Sequence, residues 1–104
     1  MLLSTKRYSE GDIVTFKLVN GDEVVARIKQ DSNESFVVKS PCTVLPSPKG
    51  LGLVQSLFTG DSETAIHIDR HHVMMHAPTI KQMSDYYIET TTGIKPVSAS
   101  GIIT

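Results

Sequence analysis

Residues 13–28 read IVTFKLVNGDEVVARI and contain two alternating runs on either side of a turn signal. Apolar side chains take every second position of each run: Val14, Phe16 and Leu18 in the first, then Val24, Ala26 and Ile28 in the second. A period of two is typical of half-buried β-strands. The segment therefore predicts a β-hairpin, with one strand from Ile13 to Val19 and a second over residues 23–29.

The register of this hairpin follows from matching its apolar faces. A two-residue loop would set Leu18 opposite Glu23 and place the apolar face of each strand against the polar face of the other. A three-residue loop, Asn20-Gly21-Asp22, restores the match and uses a left-handed conformation that Asn or Gly adopts cheaply. The predicted pairs are Leu18 with Val24, Phe16 with Ala26, and Val14 with Ile28.

The strand pattern returns in three later segments: residues 36–39 with an extension through Pro41 towards Val44, residues 65–68, and residues 73–76. An insert at residues 46–64 separates the first two. Its apolar run from Leu51 to Phe58 predicts a β arm that ends in the turn Thr59-Gly60-Asp61.

A helix is predicted over about Ile80 to Thr91. Thr79 and Gln82 form a capping box after Pro78, and apolar residues then recur at helical spacing as far as Gly93. Residues 94–104 have no period and predict a loose tail.

Together these elements predict one mainly-β domain over residues 1–104: a small, strongly bent, five-stranded antiparallel open barrel with an inserted β arm and a C-terminal helix. Such a sheet leaves open edges, which pairing with further copies of the chain would cover. A rotational repeat of that pairing would give a ring.

Composition limits the class of partner. The chain has 104 residues, 39% hydrophobic content and a net charge of −1, so it has no overall basic field, and any site for a polyanion must be local. Cys42 is the single cysteine, which excludes an internal disulfide and fits a reducing compartment. Without a signal peptide or a run of eighteen apolar residues, we expect a soluble, cytoplasmic protein with no membrane contact.

Two motifs resemble those of the Sm-like superfamily, which includes the LSm and bacterial Hfq proteins. The first is residues 13–21, followed by Glu34-Ser35-Phe36-Val37-Val38, and the second is residues 68–78. Arg70-His71 with Val73 and Pro78 is similar to the Hfq pattern of Lys-His, an aliphatic residue and Pro. Glu34 and Val38 replace the Asp and Asn of the eukaryotic and archaeal branch. The length and the insert are similar to those of phage-encoded members.

The resemblance implies a bent barrel whose fourth and fifth strands pair with neighbouring subunits and close a ring of five to seven copies around a pore. It also implies single-stranded RNA as the partner at that pore. Carried over by position, Phe36 is a base-stacking ring, Ser35 a hydrogen-bond partner for a base edge, and Arg70 and His71 the phosphate contacts, with His72 beside them. Base stacking and a planar guanidinium suit such a ligand on chemical grounds as well.

Structural roles compete with these assignments. Phe36 at a strand start suits a core position, and Arg70 suits a cap on an exposed sheet edge. His67, Asp69 and His71 would share one strand face, and His72 and His76 the other, but spacing alone is a weak sign of a metal site, and we expect no metal or cofactor. Neither a phosphate loop nor a base for Cys42 is visible, so we do not expect an enzyme.

A second function is compatible with the same sequence. An exposed apolar arm from Leu51 to Phe58 would need cover. The chain is therefore alternatively a non-catalytic oligomeric scaffold or adaptor that binds a protein partner through the arm and the C-terminal helix.

Overall fold

A computed structural model describes residues 7–92 of the chain. The strands are β1 (Ile13–Leu18), β2 (Glu23–Asp31), β3 (Ser35–Ser47), β4 (Gly50–Gln55), β5 (Ile66–Asp69) and β6 (Val73–Pro78), and the helix is α1 (Lys81–Thr92). A short 3₁₀ turn, Arg70–His72, joins β5 to β6. Within residues 7–92, α1 is too short and too polar to cross a lipid bilayer, and it is the single α-helix there. The predicted tail, residues 94–104, lies outside the described residues.

All strands belong to one antiparallel open sheet. The order across it is β4-β3-β2-β1-β6, and β5 also pairs with β3. Strand β3 pairs with two strands along one of its edges: residues 35–38 pair with β5, and residues 42–47 pair with β4. The predicted mainly-β, antiparallel class with a C-terminal helix is therefore confirmed.

The predicted register of the first hairpin is wrong by two residues. Phe16 lies opposite Val24, and Val14 lies opposite Ala26. Because side chains alternate with a period of two, a shift of two residues leaves the apolar faces of β1 and β2 on the same side. The prediction therefore assigned the buried faces correctly but not the partners.

Glycine geometry explains the shift. Gly21 has a φ of 96°, its N–H donates to the carbonyl of Leu18 at 2.9 Å, and the Leu18 N–H donates to the carbonyl of Asp22 at 2.8 Å. The three loop residues are therefore Val19-Asn20-Gly21, with glycine last, where the left-handed residue of this loop type belongs.

The arm is a hairpin of the second half of β3 and of β4, over residues 42–55, and its predicted turn is wrong. Its turn lies at Pro48-Lys49, between β3 and β4, and not at Thr59-Gly60-Asp61. The Ser47 hydroxyl donates to the Gly50 carbonyl at 2.9 Å, and Gly50 has a φ of 122°. Pro48 opens this tight turn, and β3 extends to Ser47.

The sheet packs on both faces. One face buries a cluster around Phe16 and Phe36: Val14, Phe16, Ala26, Ile28, Phe36 and Val38. The other face packs against α1 through Val25, Cys42, Met83 and Tyr87. The Tyr87 hydroxyl donates to the carbonyl of Ser40 at 2.8 Å, at a point of β3 where Ser40 has a φ of 49°. The helix is thereby fixed to the middle of β3.

Candidate functional site

The Arg70–His72 turn is shaped by Asp69. The Asp69 carboxylate accepts the backbone N–H of His71 at 3.0 Å and lies 3.0 Å from its ring Nδ1. The backbone hydrogen bond from His71 is the main reason that the pKa of Asp69 lies below its usual value. The Arg70 N–H donates to the Glu34 carbonyl at 3.2 Å, which holds the turn against the β2–β3 loop.

The Arg70 side chain points back into the protein. Its Nη1 donates to Asp31 Oδ1 at 2.5 Å and to the Ser32 carbonyl at 2.9 Å. Its guanidinium carbon lies 4.0 Å from the centre of the Phe36 ring, within the range of a cation–π contact. Arg70 is therefore held by a carboxylate and an aromatic face, and 31% of its side chain is exposed.

Phe36 lies in the core. Its ring is 1% exposed and packs against Phe16, at 4.8 Å between centroids, and against His76 at 5.2 Å. Because Arg70 covers it as well, a base can stack on Phe36 only after the guanidinium has moved aside.

The remaining residues suggested by the sequence lie at the surface. Ser35 and His71 line an open depression of about 400 Å³, together with Glu34, His67 and Asp69. His71 and His72 are 86% and 67% exposed at their side chains, and Ser35 Oγ lies 3.5 Å from His67 Nδ1. The structure thus brings Ser35 and His71 together at one open depression, and each is next in the chain to a more buried residue, Phe36 and Arg70 respectively.

Sequence reasoning missed Asp31. Its side chain is 4% exposed, and besides Arg70 it accepts the backbone N–H of Tyr8 at 3.0 Å. Arg7 approaches the same carboxylate, with Nη1 at 3.6 Å from Oδ1. Asp31 stands 24 and 39 residues from these two arginines in the chain, so no local pattern marked it as their partner.

Tyr8 links the charged cluster of Arg7, Asp31 and Arg70 to β6. Its hydroxyl lies 2.7 Å from His76 Nδ1, and its ring packs near Phe36 at 6.3 Å. Burial, followed by the nearby Asp31 carboxylate, raises the pKa of Tyr8 above its ordinary value. The Tyr8 hydroxyl is therefore neutral near pH 7, and the charge of the cluster comes from Arg7, Asp31 and Arg70.

Two other kinds of site, a metal site and a reactive cysteine, have less support in the structure. Among residues 7–92, no three His, Cys, Asp or Glu side chains converge as metal ligands would. Cys42 and Ser40 border a cavity of about 370 Å³ near the end of α1. Burial raises the pKa of Cys42 to about 11, so its thiol is not activated as a nucleophile.

Comparison with known proteins does not place the chain in a family. No family model matches it, and no curated protein is significantly similar to it.

Proposed function

We propose that the chain is an Sm-like protein that forms a ring and binds single-stranded RNA near the central pore. The observation that carries the proposal is the connection through Arg70–His72. This three-residue turn joins β5 and β6, which lie at opposite ends of the strand order β5-β3-β2-β1-β6.

The short connection supports a strongly curved sheet. Five flat strands would hold their outer members roughly 19 Å apart, at about 4.8 Å per strand spacing. A 3₁₀ turn of three residues rises only about 6 Å. The two ends of the sheet must therefore approach each other, as they do in a small barrel.

The edges of this sheet support ring formation. Within residues 7–92, β5 pairs with β3 alone and β6 with β1 alone, so one edge of each strand is open. Open edges are templates for pairing with another chain. Pairing β5 of one copy with β6 of the next repeats by rotation and brings the Arg70–His72 turns of all copies around one axis.

The same geometry supports RNA as the ligand. His71 and His72 are largely exposed at the turn, and Ser35 lines the depression beside His71. Arg70 is the first residue of the same turn, and 31% of its side chain is exposed. Several copies would multiply this cationic group around the axis, even though the net charge of one chain is −1.

Fluorescence anisotropy with labelled oligo-U and oligo-A tests the proposal. We expect binding that weakens steeply between about 50 and 200 mM salt, because phosphate contacts release counterions. Arg70→Gln combined with His71→Ala should weaken binding at least tenfold. Arg27→Gln, which changes an arginine on the helix-covered face of the sheet, is the matched control and should bind as the wild type does.

An absence of RNA binding at low salt would refute the proposal. Equal binding by the double variant and the control would refute the assignment of Arg70 and His71. Circular dichroism checks that the double variant is folded, since Asp31 loses a charged partner in it.

A second function, that of an adaptor, is favoured by the arm. Four large apolar side chains are exposed on it and beyond it: Leu45 at 47%, Val54 at 38%, Leu57 at 43% and Phe58 at 83%. Surfaces of this kind often contact other proteins. Under this proposal, Leu45→Lys abolishes binding of a protein partner and leaves the oligomer intact.

A further inference from the structure

We infer that Asp31 gathers Arg7 and Arg70 into a clamp for one phosphodiester group of a single-stranded nucleic acid. The inference rests on the proposed function and adds to it a phosphate-binding residue, Arg7, and a positioning residue, Asp31.

Two guanidinium groups converge on one carboxylate oxygen. Arg70 Nη1 lies 2.5 Å and Arg7 Nη1 lies 3.6 Å from Asp31 Oδ1. The two nitrogens are therefore separated by no more than the sum of these distances, about 6 Å. A phosphate accepts charge-assisted hydrogen bonds of about 2.7–2.9 Å on several oxygens, so one phosphate can bridge two cations at this separation.

The cluster of Arg7, Asp31 and Arg70 carries a net positive charge. Two guanidinium groups surround one carboxylate, and the hydroxyl of Tyr8, whose backbone N–H donates to the same carboxylate, is neutral near pH 7. One positive charge is therefore left without a counterion inside the cluster. Two like charges this close repel each other, and a bound anion relieves that repulsion.

Arg70 keeps hydrogen-bond donors that a ligand can use. A guanidinium carries five N–H donors. Within residues 7–92, the side-chain hydrogen bonds of Arg70 all leave from Nη1, so Nε and Nη2 remain available. Arg7 donates to the Asp31 carbonyl at 3.1 Å and to Asn33 Oδ1, and 51% of its side chain is exposed.

Neighbouring groups fix the positions of Asp31 and of both arginines. Asp31 is nearly buried and is itself fixed by the Tyr8 N–H, while Phe36 supports the guanidinium of Arg70 from below. Both arginines are thus held in place before a ligand arrives, which lowers the entropic cost of binding.

Anisotropy with oligo-U tests the clamp by a double-mutant cycle. Arg7→Gln and Arg70→Gln should each weaken binding about five- to tenfold, and the double variant should lose clearly less than the product of the two effects, because both residues hold one phosphate. Arg7→Gln should also lower the salt slope by about 0.7 for each phosphate of the single strand that the variant no longer neutralises. The matched control Arg27→Gln should leave affinity and slope unchanged.

Dimethyl phosphate, the smallest phosphodiester, separates this inference from the proposed function. In an NMR titration, it should shift the amide signals of Asp31, Ser32 and Arg70 in the wild type and not in Arg7→Gln. These shifts without RNA binding would keep the clamp and refute the RNA function. RNA binding that is unchanged by Arg7→Gln would refute the clamp and keep the function. If Arg7→Gln lowers stability while the wild type shows no amide shifts with dimethyl phosphate and RNA binding is not weakened, the clamp is refuted and Arg7 has a structural role only.

Discussion

The ring of Phe36, which the resemblance assigns to stacking on an RNA base, is buried in the core of the structure. Its ring is enclosed by Phe16, His76 and Arg70. Truncating a buried phenylalanine typically costs about 3–5 kcal/mol, because it removes apolar contacts and leaves a cavity.

We expect Phe36→Ala to lower the free energy of unfolding by that amount in urea denaturation at fixed protein concentration. Phe58→Ala is the matched control: its ring is 83% exposed, so its effect should stay within about 0.5 kcal/mol. Similar losses for both variants would contradict the burial of Phe36.

Cys42 gives a prediction on pH. Burial raises the pKa of its thiol from an ordinary 9.0 to about 11 in the folded protein. Between pH 9 and 11 the unfolded thiol has lost its proton while the folded thiol keeps it, so the folded state binds more protons and stability falls as pH rises. Burial raises the pKa of Tyr87 as well, which adds to the effect at higher pH. Urea denaturation at several pH values should show a shallower decline in Cys42→Ala than in the wild type, and identical declines would contradict this account.

The hairpin of β1 and β2 shows which features of a strand pair its sequence specifies and which it does not. Alternation identified the buried faces of β1 and β2, because the period of two is visible in the residues themselves. The partners depended on whether Gly21 is the second or the third loop residue, which the apolar pattern does not distinguish, since both registers match the faces. Asp31 was missed for a related reason: its two arginines reach it only once β2, the Arg70–His72 turn and the segment before β1 are assembled.

The glycine that sets this register can be tested directly. Gly21 has a φ of 96°, and an added Cβ would meet no atom within 4 Å, so any cost of Gly21→Ala arises from backbone conformation alone. We expect a loss of about 1–2 kcal/mol in the free energy of unfolding. Gly52→Ala in β4 is the matched control, because Gly52 is not in the left-handed region and its nearest atom is the Leu45 carbonyl oxygen at 3.9 Å. A neutral Gly21→Ala would refute the loop assignment.

Two surfaces of the folded chain compete to join one copy to the next. The ring proposal uses β6, where Met74 lies at an irregularity in the β1–β6 register and is 60% exposed. The adaptor proposal leaves the arm for another protein, with Leu45 at 47% exposure. Because about half or more of each residue is exposed in one protomer, a lysine at either position should cost the protomer little stability. A lysine buried between subunits, in contrast, would carry an unpaired charge out of water.

We therefore expect Met74→Lys to reduce the particle mass in light scattering towards that of one chain, and Leu45→Lys to leave it unchanged. The wild type should also melt at a higher temperature as protein concentration rises, because assembly stabilises the folded state by mass action. The reverse outcome, with Leu45→Lys dissociating the particle and Met74→Lys not, would assign self-assembly to the arm, and a wild-type monomer at all concentrations would refute the ring.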